Sequence, residues 1–428
     1  MSFSFSSIDK NPLVSKYEQY KFLGIKKYYS IEEFSNIIDY YYYSQDIEKA
    51  REVVSDALVS HPSSFDLLLR KARILIEDKK FKEVIKLLKY LKREEPQETE
   101  LYLLLGFSYA SINRTKLAEK SFNRLLELAE DKMEYISFLN DIAYIYFSLE
   151  LYSLAYKYYK KAYKLDPKDK NLLYEMAFCL EKENFNTDSI NLYLKYLKHN
   201  PFHVLAWYNL GVVYLKINNR EKALEAFNFA LAIDSKFTSA IYNKAYVLFE
   251  NKKYKDSLIC YKKLLNLEKN NPSAFFFIAK NLIELKQYHK ALKFLKKTLD
   301  IVPKFPQAWF EIANLFYINN KFKESRIYIL KALKLGDLNT DYIKLLGKTY
   351  LKEKNYKLAA KAFKWAIENN PYDEELWINY SEVYENEGNL KKAIDILNNS
   401  KQYLKNNKRV FEKLKSLSYK SNIQKHTK

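Results

Sequence analysis

Residues 204–237 read VLAWYNLGVVYLKINNREKALEAFNFALAIDSKF. Trp207, Leu210, Gly211 and Tyr214 stand at i, i+3, i+4 and i+7, and Ala223, Phe227 and Ala230 at i, i+4 and i+7. Each half therefore puts its apolar residues on one helical face. Between the halves, Lys216-Ile217-Asn218-Asn219-Arg220 is polar and suits a tight turn. The stretch predicts two helices, A and B, joined head to tail and packed face to face.

The same pattern extends outward at a period of 34 residues. Counting places from the first residue of each copy, small residues hold the eighth place at Ala72, Gly106, Ala143, Ala177, Gly211, Ala245, Ala279, Ala313, Gly347 and Ser381, with Ile38 the exception. A second small column falls at place twenty: Ala50, Ala118, Ala155, Ser189, Ala223, Ser257, Ala291, Ser325, Ala359 and Ala393, broken only by Val84. Small side chains are needed where helix backbones approach closely. Pro62, Pro96, Pro167, Pro201, Pro303 and Pro371 share place thirty-two, where proline ends helix B. The register gives eleven copies starting at residues 31, 65, 99, 136, 170, 204, 238, 272, 306, 340 and 374, the last ending at 407. The phase slips once, at Met133-Glu134-Tyr135, which is expected to lengthen a helix B or the loop after it.

These residues resemble the tetratricopeptide repeat family, whose pattern of Trp, Leu-Gly, Tyr, Ala, Phe and Pro has this spacing. The resemblance covers residues 31–407 and implies an all-α fold, a right-handed superhelical α-solenoid in which each repeat touches its neighbours. Residues 1–30 then form an N-terminal tail and capping helix, and residues 408–428 a C-terminal capping helix and basic tail. Leu13, Val14, Tyr17, Phe22 and Leu23 make an amphipathic segment expected to dock on the first repeat. Ser30 with Glu33 reads as a capping box. Val410, Phe411, Leu414 and Leu417 have the helical spacing of a solvating helix, followed by a frayed, basic end.

The net charge of +20 raises the possibility of a nucleic-acid or anionic-surface binder. Against specific nucleic-acid binding, only nine of the 72 basic residues are Arg, the side chain suited to bidentate phosphate and base contacts. Abundant Lys, Asn, Ile, Tyr and Phe also read as codon bias. Cys179 and Cys260 lie 81 residues apart on different helix types, as unpaired thiols of a reducing compartment. The N-terminus lacks the regions of a secretion signal and no apolar run has membrane-spanning length, so the expectation is a cytoplasmic protein.

Nothing marks an enzyme or a metal site. His199 and His203 are separated by Pro201 at a repeat junction and read as loop histidines, since zinc needs three or four ligands. There is no Gly-rich phosphate loop, nucleophile elbow or Cys/His cluster, and no cofactor is expected.

The resemblance places the working surface on helix A, at places two, five, six, nine, twelve and thirteen, which line the concave side of the family's arrays. Place five reads Tyr174, Tyr208, Tyr242, Phe276 and Phe310, and place nine adds Tyr144, Phe178, Tyr246, Lys280 and Asn314. Asn209 and Asn243 at place six form a short amide ladder. Rings flanked by amides suit an extended or helical peptide, although rings at place five also suit packing between A helices. Lys344 and Lys348 are expected to meet an acidic partner or a terminal carboxylate. The chaperone-tail clamp of some family members pairs Lys at place five with Asn at place nine, and no copy here has both. The reading is a non-catalytic scaffold binding one or more proteins in an aromatic and amide-lined groove, with self-association possible. The alternatives are a basic nucleic-acid or anionic-surface binder and a structural spacer in a multiprotein assembly.

Overall fold

A computed structural model describes residues 12–336, 338–405 and 407–426, and among them every regular element is a helix. The chain divides into two compact units between Asn218 and Asn219. The first holds α1 (Pro12–Phe22), α2 (Ile31–Tyr43), α3 (Ile47–Ser60), α4 (Phe65–Glu77), α5 (Phe81–Leu91), α6 (Thr99–Ser111), α7 (Thr115–Glu127), α8 (Lys132–Ser148), α9 (Tyr152–Leu165), α10 (Asn171–Lys182), α11 (Asn186–Leu197) and α12 (Val204–Lys216). The second holds α13 (Arg220–Ile233), α14 (Thr238–Glu250), α15 (Tyr254–Leu267), α16 (Pro272–Glu284), α17 (Tyr288–Ile301), α18 (Pro306–Ile318), α19 (Phe322–Leu335), α20 (Thr340–Lys352), α21 (Tyr356–Asn369), α22 (Glu374–Asn386), α23 (Leu390–Ser400) and α24 (Lys408–His426). Within each unit successive helices pack as antiparallel hairpins, α2 on α3 through α10 on α11 and α14 on α15 through α22 on α23. The result is a helical solenoid.

The small columns lie in the hairpin cores. Ala72, Ala143, Ala177, Ala245, Ala279 and Ala313 are fully buried, as are Ala50, Ala118, Ala155, Ala291 and Ala359. Serine in the second column also forms bonds. Ser189 Oγ donates to the Ala177 carbonyl and Ser257 Oγ to the Ala245 carbonyl, both at 2.8 Å, tying helix B to helix A. At Gly347 a Cβ would stand 2.7 Å from the Phe363 ring, and at Gly106 one would come closer still to Phe122. These two glycines make room for a phenylalanine on helix B.

The turns are more specific than a polar stretch suggests. Place fifteen of every copy is left-handed: Gln45, Lys79, Asn113, Glu150, Asn184, Asn218, Lys252, Lys286, Asn320 and Lys354 have φ of 57–65°, and Gly388 has 81°. The Lys286 N–H donates to Ile283 O and the Gln287 N–H to Leu282 O, both at 2.8 Å, which is the Schellman closure of helix A. At the other junction, place four reaches back to the proline carbonyl. Trp207 and Trp377 Nε1 donate to Pro201 O and Pro371 O at 2.8 Å, Trp309 Nε1 to Pro303 O at 3.0 Å, and the Tyr102 hydroxyl to Pro96 O at 2.9 Å.

Three expectations need correcting. The extra residues 133–135 lengthen no helix B; they add a turn to the start of the next helix A, so α8 has 17 residues where most A helices have 13. Asp131 caps that start by accepting from the Glu134 N–H at 2.8 Å, and the Glu134 carboxylate accepts from the Glu130 N–H at 2.7 Å. This reciprocal cap makes the added turn helical. Secondly, α1 docks through Val14 and Tyr17, both buried, but Phe22 is 90% exposed and Leu23 64%. Phe22 ends α1 and Leu23 follows it, and the Schellman turn at Gly24 closes the helix with neither side chain packed on the first hairpin. Thirdly, the basic C-terminal segment is helical through His426. Val410 and Leu417 are buried against the last hairpin, and Lys413 and Lys420 each bond Glu385 at 2.7 Å. Ser30 and Glu33 do form the capping box. The Met1–Ser7 stretch read for a secretion signal lies outside the described residues.

Candidate interaction face

Helix A carries two kinds of aromatic side chain, and geometry separates them. In the first unit Tyr174 is wedged among Tyr193, Tyr196 and His203, with centroid distances of 5.1–5.9 Å. Its hydroxyl accepts from Asn209 Nδ2 at 3.1 Å, and burial pushes it up to about 12. Phe178 is half-buried against Phe147 and Tyr152, with the Lys182 ammonium 4.9 Å above its ring. Tyr208 and Asn209 are half-buried, whereas Tyr144 is 66% exposed. Place nine therefore presents a free ring on α8, while Tyr174 at place five fills space between helices.

The second unit repeats this division. Tyr242 packs edge-on against Tyr261 and Phe277, Phe276 is buried against Phe277 and Phe305, and Phe310 stacks on Tyr342 at 4.5 Å. Asn243 is half-buried and Tyr246 is exposed, meeting Phe277 edge-on at 6.0 Å. Beside them lies an open cavity of about 360 Å³ lined by Phe249, Tyr254, Lys280, Glu284, Glu311 and Asn314. Lys280 stands over the Phe249 and Phe276 rings at 5.2 and 6.0 Å.

Lys344 and Lys348 are engaged within the chain. Lys344 Nζ lies 2.9 Å from Asp373 and 3.4 Å from Glu375, and Lys348 pairs with Glu375. The acidic groups expected from a partner come from the neighbouring helix, α22, and its N-cap. Burial would raise the Glu375 carboxyl, but the hydrogen bond and charge of Lys348, joined by Lys344, hold it below its ordinary value. A comparable lattice occupies the start of the first unit, where Arg70 and Arg73 meet Asp39, and Arg73 meets Glu100.

The carboxylates that stay unpaired escaped the sequence reading. Glu175 and Glu311, both at place six and half-buried, form no ion pair among the described residues. Burial pushes both upward, and for Glu311 the Lys280 charge offsets it in part. The signal was present: place six is otherwise mostly asparagine or apolar, yet it carries acids at Asp141, Glu175 and Glu311. His203 also gains a role, as the N-cap of α12, accepting from the Ala206 N–H at 3.2 Å. Cys179 is buried and Cys260 half-buried, both free, and burial pushes the Cys179 thiol up to about 12. No described helix is long and apolar enough to cross a membrane.

Family models described as tetratricopeptide repeat match residues 36–99, 99–132, 136–169, 204–237, 238–271 and 350–416, more than half of the chain. The chain belongs to the tetratricopeptide repeat family. Among curated proteins it is similar to human protein O-mannosyl-transferase TMTC3, 24% identical over 223 residues covering 49% of this chain, and spans only 24% of that protein's length. It is also similar to ycf37 of Cyanophora paradoxa, 30% identical over 132 residues covering 31% of this chain and 76% of ycf37. Among solved structures, a tetratricopeptide repeat protein from Parabacteroides merdae aligns at 16% identity, 59% of this chain and 99% of that one, with a TM-score of 0.49. The APC/C hetero-tetramer Cut9–Hcn1 aligns at 13% identity, over 95% and 98% of the chains, with a TM-score of 0.46. In general terms, such repeats make the chain a protein-interaction scaffold.

Proposed function

We propose that this tetratricopeptide repeat protein is a non-catalytic scaffold that holds extended or helical protein segments on its A-helix face, and that those segments carry basic side chains. One observation carries the reading: exposed rings occur on the same helix set as half-buried carboxylates that form no ion pair among the described residues. Tyr144 and Tyr246 supply the rings, and Glu175 and Glu311 the charge. Withdrawing a carboxylate from water costs free energy unless a cation answers it, so a Lys or Arg from a bound segment improves both sides. Half-buried Tyr208, Asn209, Tyr242, Asn243 and Asn314 then serve as the edges of the binding surface, while Tyr174, Phe276 and Phe310 hold its shape. Lys344 and Lys348 are assigned to the scaffold itself. The free thiols of Cys179 and Cys260 suit the reducing conditions of cytoplasm. The eleven-copy division with capping helices at each end remains the reading of the architecture, supported by the recurrent left-handed place fifteen.

The test is affinity capture from the native host with wild-type protein and with Tyr144→Ala and Tyr246→Ala variants of unchanged helical content. Each variant should retain a tenth or less of the captured partner, and the segments bound should be rich in Lys and Arg. Capture that survives both substitutions removes the A-helix face from consideration.

A further inference from the structure

The end of α1 and the loop that follows it expose eight consecutive residues, 21–28. Four are large and apolar: Phe22 is 90% exposed, Leu23 64%, Ile25 50% and Tyr28 71%. Val59 at the end of α3, 85% exposed, borders the same surface. Elsewhere among the described residues, large exposed apolar side chains such as Phe202, Met133 and Tyr372 do not occur in such a run. The segment is ordered. The Ile25 N–H donates to Tyr20 O at 2.9 Å and the Gly24 N–H to Lys21 O at 3.1 Å, with Gly24 at φ 67°. The apolar tip is therefore a built turn that no described residue covers.

Charge says what covers it. Lys26 is exposed, and Lys27 lies 5.0 and 5.4 Å above the Tyr20 and Tyr29 rings. Lys21 is held back by Asp56 and Glu52 at 2.5 and 3.0 Å. Behind the loop is a cavity of about 500 Å³ lined by Lys21, Ile25, Lys26, Lys27, Tyr29 and Val59, among others. Tyr29 is 97% buried (3% exposed), and its hydroxyl has no hydrogen-bond partner. Apolar side chains projecting beyond a collar of lysines match a bilayer boundary, where rings and aliphatic groups enter the acyl edge and cations stay with phosphates. Phe22, Leu23 and Tyr28 are outside the lining of that recess, whereas a groove for a peptide would place its apolar groups inside it.

We propose that residues 21–28 dock this end of the protein on an anionic phospholipid surface, with Phe22, Leu23, Ile25 and Tyr28 entering the interface and Lys26 and Lys27 meeting headgroup phosphates. The site is independent of the A-helix face, so one protein segment and one membrane can be held together. The attachment proposed is peripheral; no described helix is long and apolar enough to cross a membrane.

Sedimentation of the full chain with vesicles tests this, using phosphatidylcholine alone and phosphatidylcholine mixed with phosphatidylglycerol. Wild type should bind the mixed vesicles at least tenfold more tightly than the neutral ones. Phe22→Ser with Leu23→Ser, and separately Lys26→Glu with Lys27→Glu, should each weaken that binding at least tenfold while circular dichroism is unchanged. A charge-matched control, Lys357→Glu with Lys361→Glu on α21, should bind as wild type. Failure of wild type to prefer anionic vesicles overturns the proposal. So does equal loss in the α21 control, which would mean general attraction by the +20 charge. Lipid-independent self-association abolished by the Phe22 and Leu23 substitutions would assign the tip to a second copy instead.

Discussion

Two stretches of the second unit use one register for different ends. In α20 and α22, Lys344 and Lys348 are closed off by Asp373 and Glu375. In α16 and α18, Lys280 rests on rings, Glu311 forms no ion pair among the described residues and is only partly offset by the Lys280 charge, and a cavity lies open between them. The packing beneath differs too: Gly347 lies under Phe363, whereas Ala279 shares its hairpin core with Leu295. Neighbouring repeats thus satisfy their charges internally or leave them to a ligand without changing the backbone plan. Which of the two a repeat does depends on a few variable places, so the fold is uniform while the interaction surface is local.

The strongest way to probe the comparison is at the glycine. Gly347→Ala drives a methyl into the Phe363 ring and should destabilise the protein by about 1–3 kcal/mol, as overpacking does. Adding Phe363→Leu recreates the Ala–Leu arrangement of α16 and α17 and should recover about 1 kcal/mol or more relative to the sum of the single changes. Denaturant unfolding of the four proteins measures this, and additive effects would show that the glycine and the ring are independent.

Next in size is the cation. Lys344→Met leaves Asp373 and Glu375 facing each other without it, and should cost about 1 kcal/mol, near the top of the range for surface pairs because Lys344 is only 19% exposed. Lys280→Met should cost about 0.5 kcal/mol, since ring contacts and a partial charge offset at Glu311 are lost but no ion pair is. A larger loss at Lys280 would reverse the distinction between the two stretches.

This contrast also shows how much was legible. Ala and Gly at place eight, the prolines and the apolar frame carry the fold because they answer to backbone geometry repeated in every copy. The pairing of Gly106 with Phe122 and of Gly347 with Phe363 was equally readable, at a fixed separation of sixteen residues. What could not be read is which side chains meet between copies. Lys344 meets Asp341 of its own helix at 3.5 Å, but Asp373 and Glu375, which close it off, lie 29 and 31 residues further along. Phe276 looks like a groove ring because Phe305, which buries it, stands 29 residues further along, at the junction with the next copy. Nor does a helical pattern at Phe22 and Leu23 reveal that the chain turns at Gly24 with neither side chain packed on the core.

Acid separates the two stretches by sign. Glu375 has a folded value below the ordinary 4.5, so its pairs add stability above 4.5 that is lost as pH falls through the folded value. Glu311 has a folded value above 4.5, so its burial costs stability at neutral pH, and that cost disappears as pH falls through the folded value towards 4.5. Lys280, Glu284 and Asn314 are the groups that face it. Glu311→Gln should therefore be more stable than wild type at pH 7, with the advantage vanishing by about pH 4. Glu375→Gln should be less stable at pH 7, with a deficit that shrinks below 4.5. Unfolding curves at pH 7, 5.5 and 4 decide it, and shifts of the same sign would erase the distinction.

The last test concerns what the two stretches share. Lys286 ends α16 and Lys354 ends α20, with φ of 58° and 59°. An L side chain in that region carries a penalty that glycine avoids, although glycine has more freedom to lose on folding. Lys286→Gly and Lys354→Gly should each stabilise the protein by about 0.5–1 kcal/mol, and by the same amount within experimental error. Their Schellman bonds are alike, Gln287 to Leu282 and Asn355 to Tyr350, both at 2.8 Å. Unequal gains would place part of the difference between the stretches in the turn backbone. Equal gains leave it wholly in the side chains, with Lys344, Glu375, Lys280 and Glu311 as the residues that separate a closed repeat from an open one.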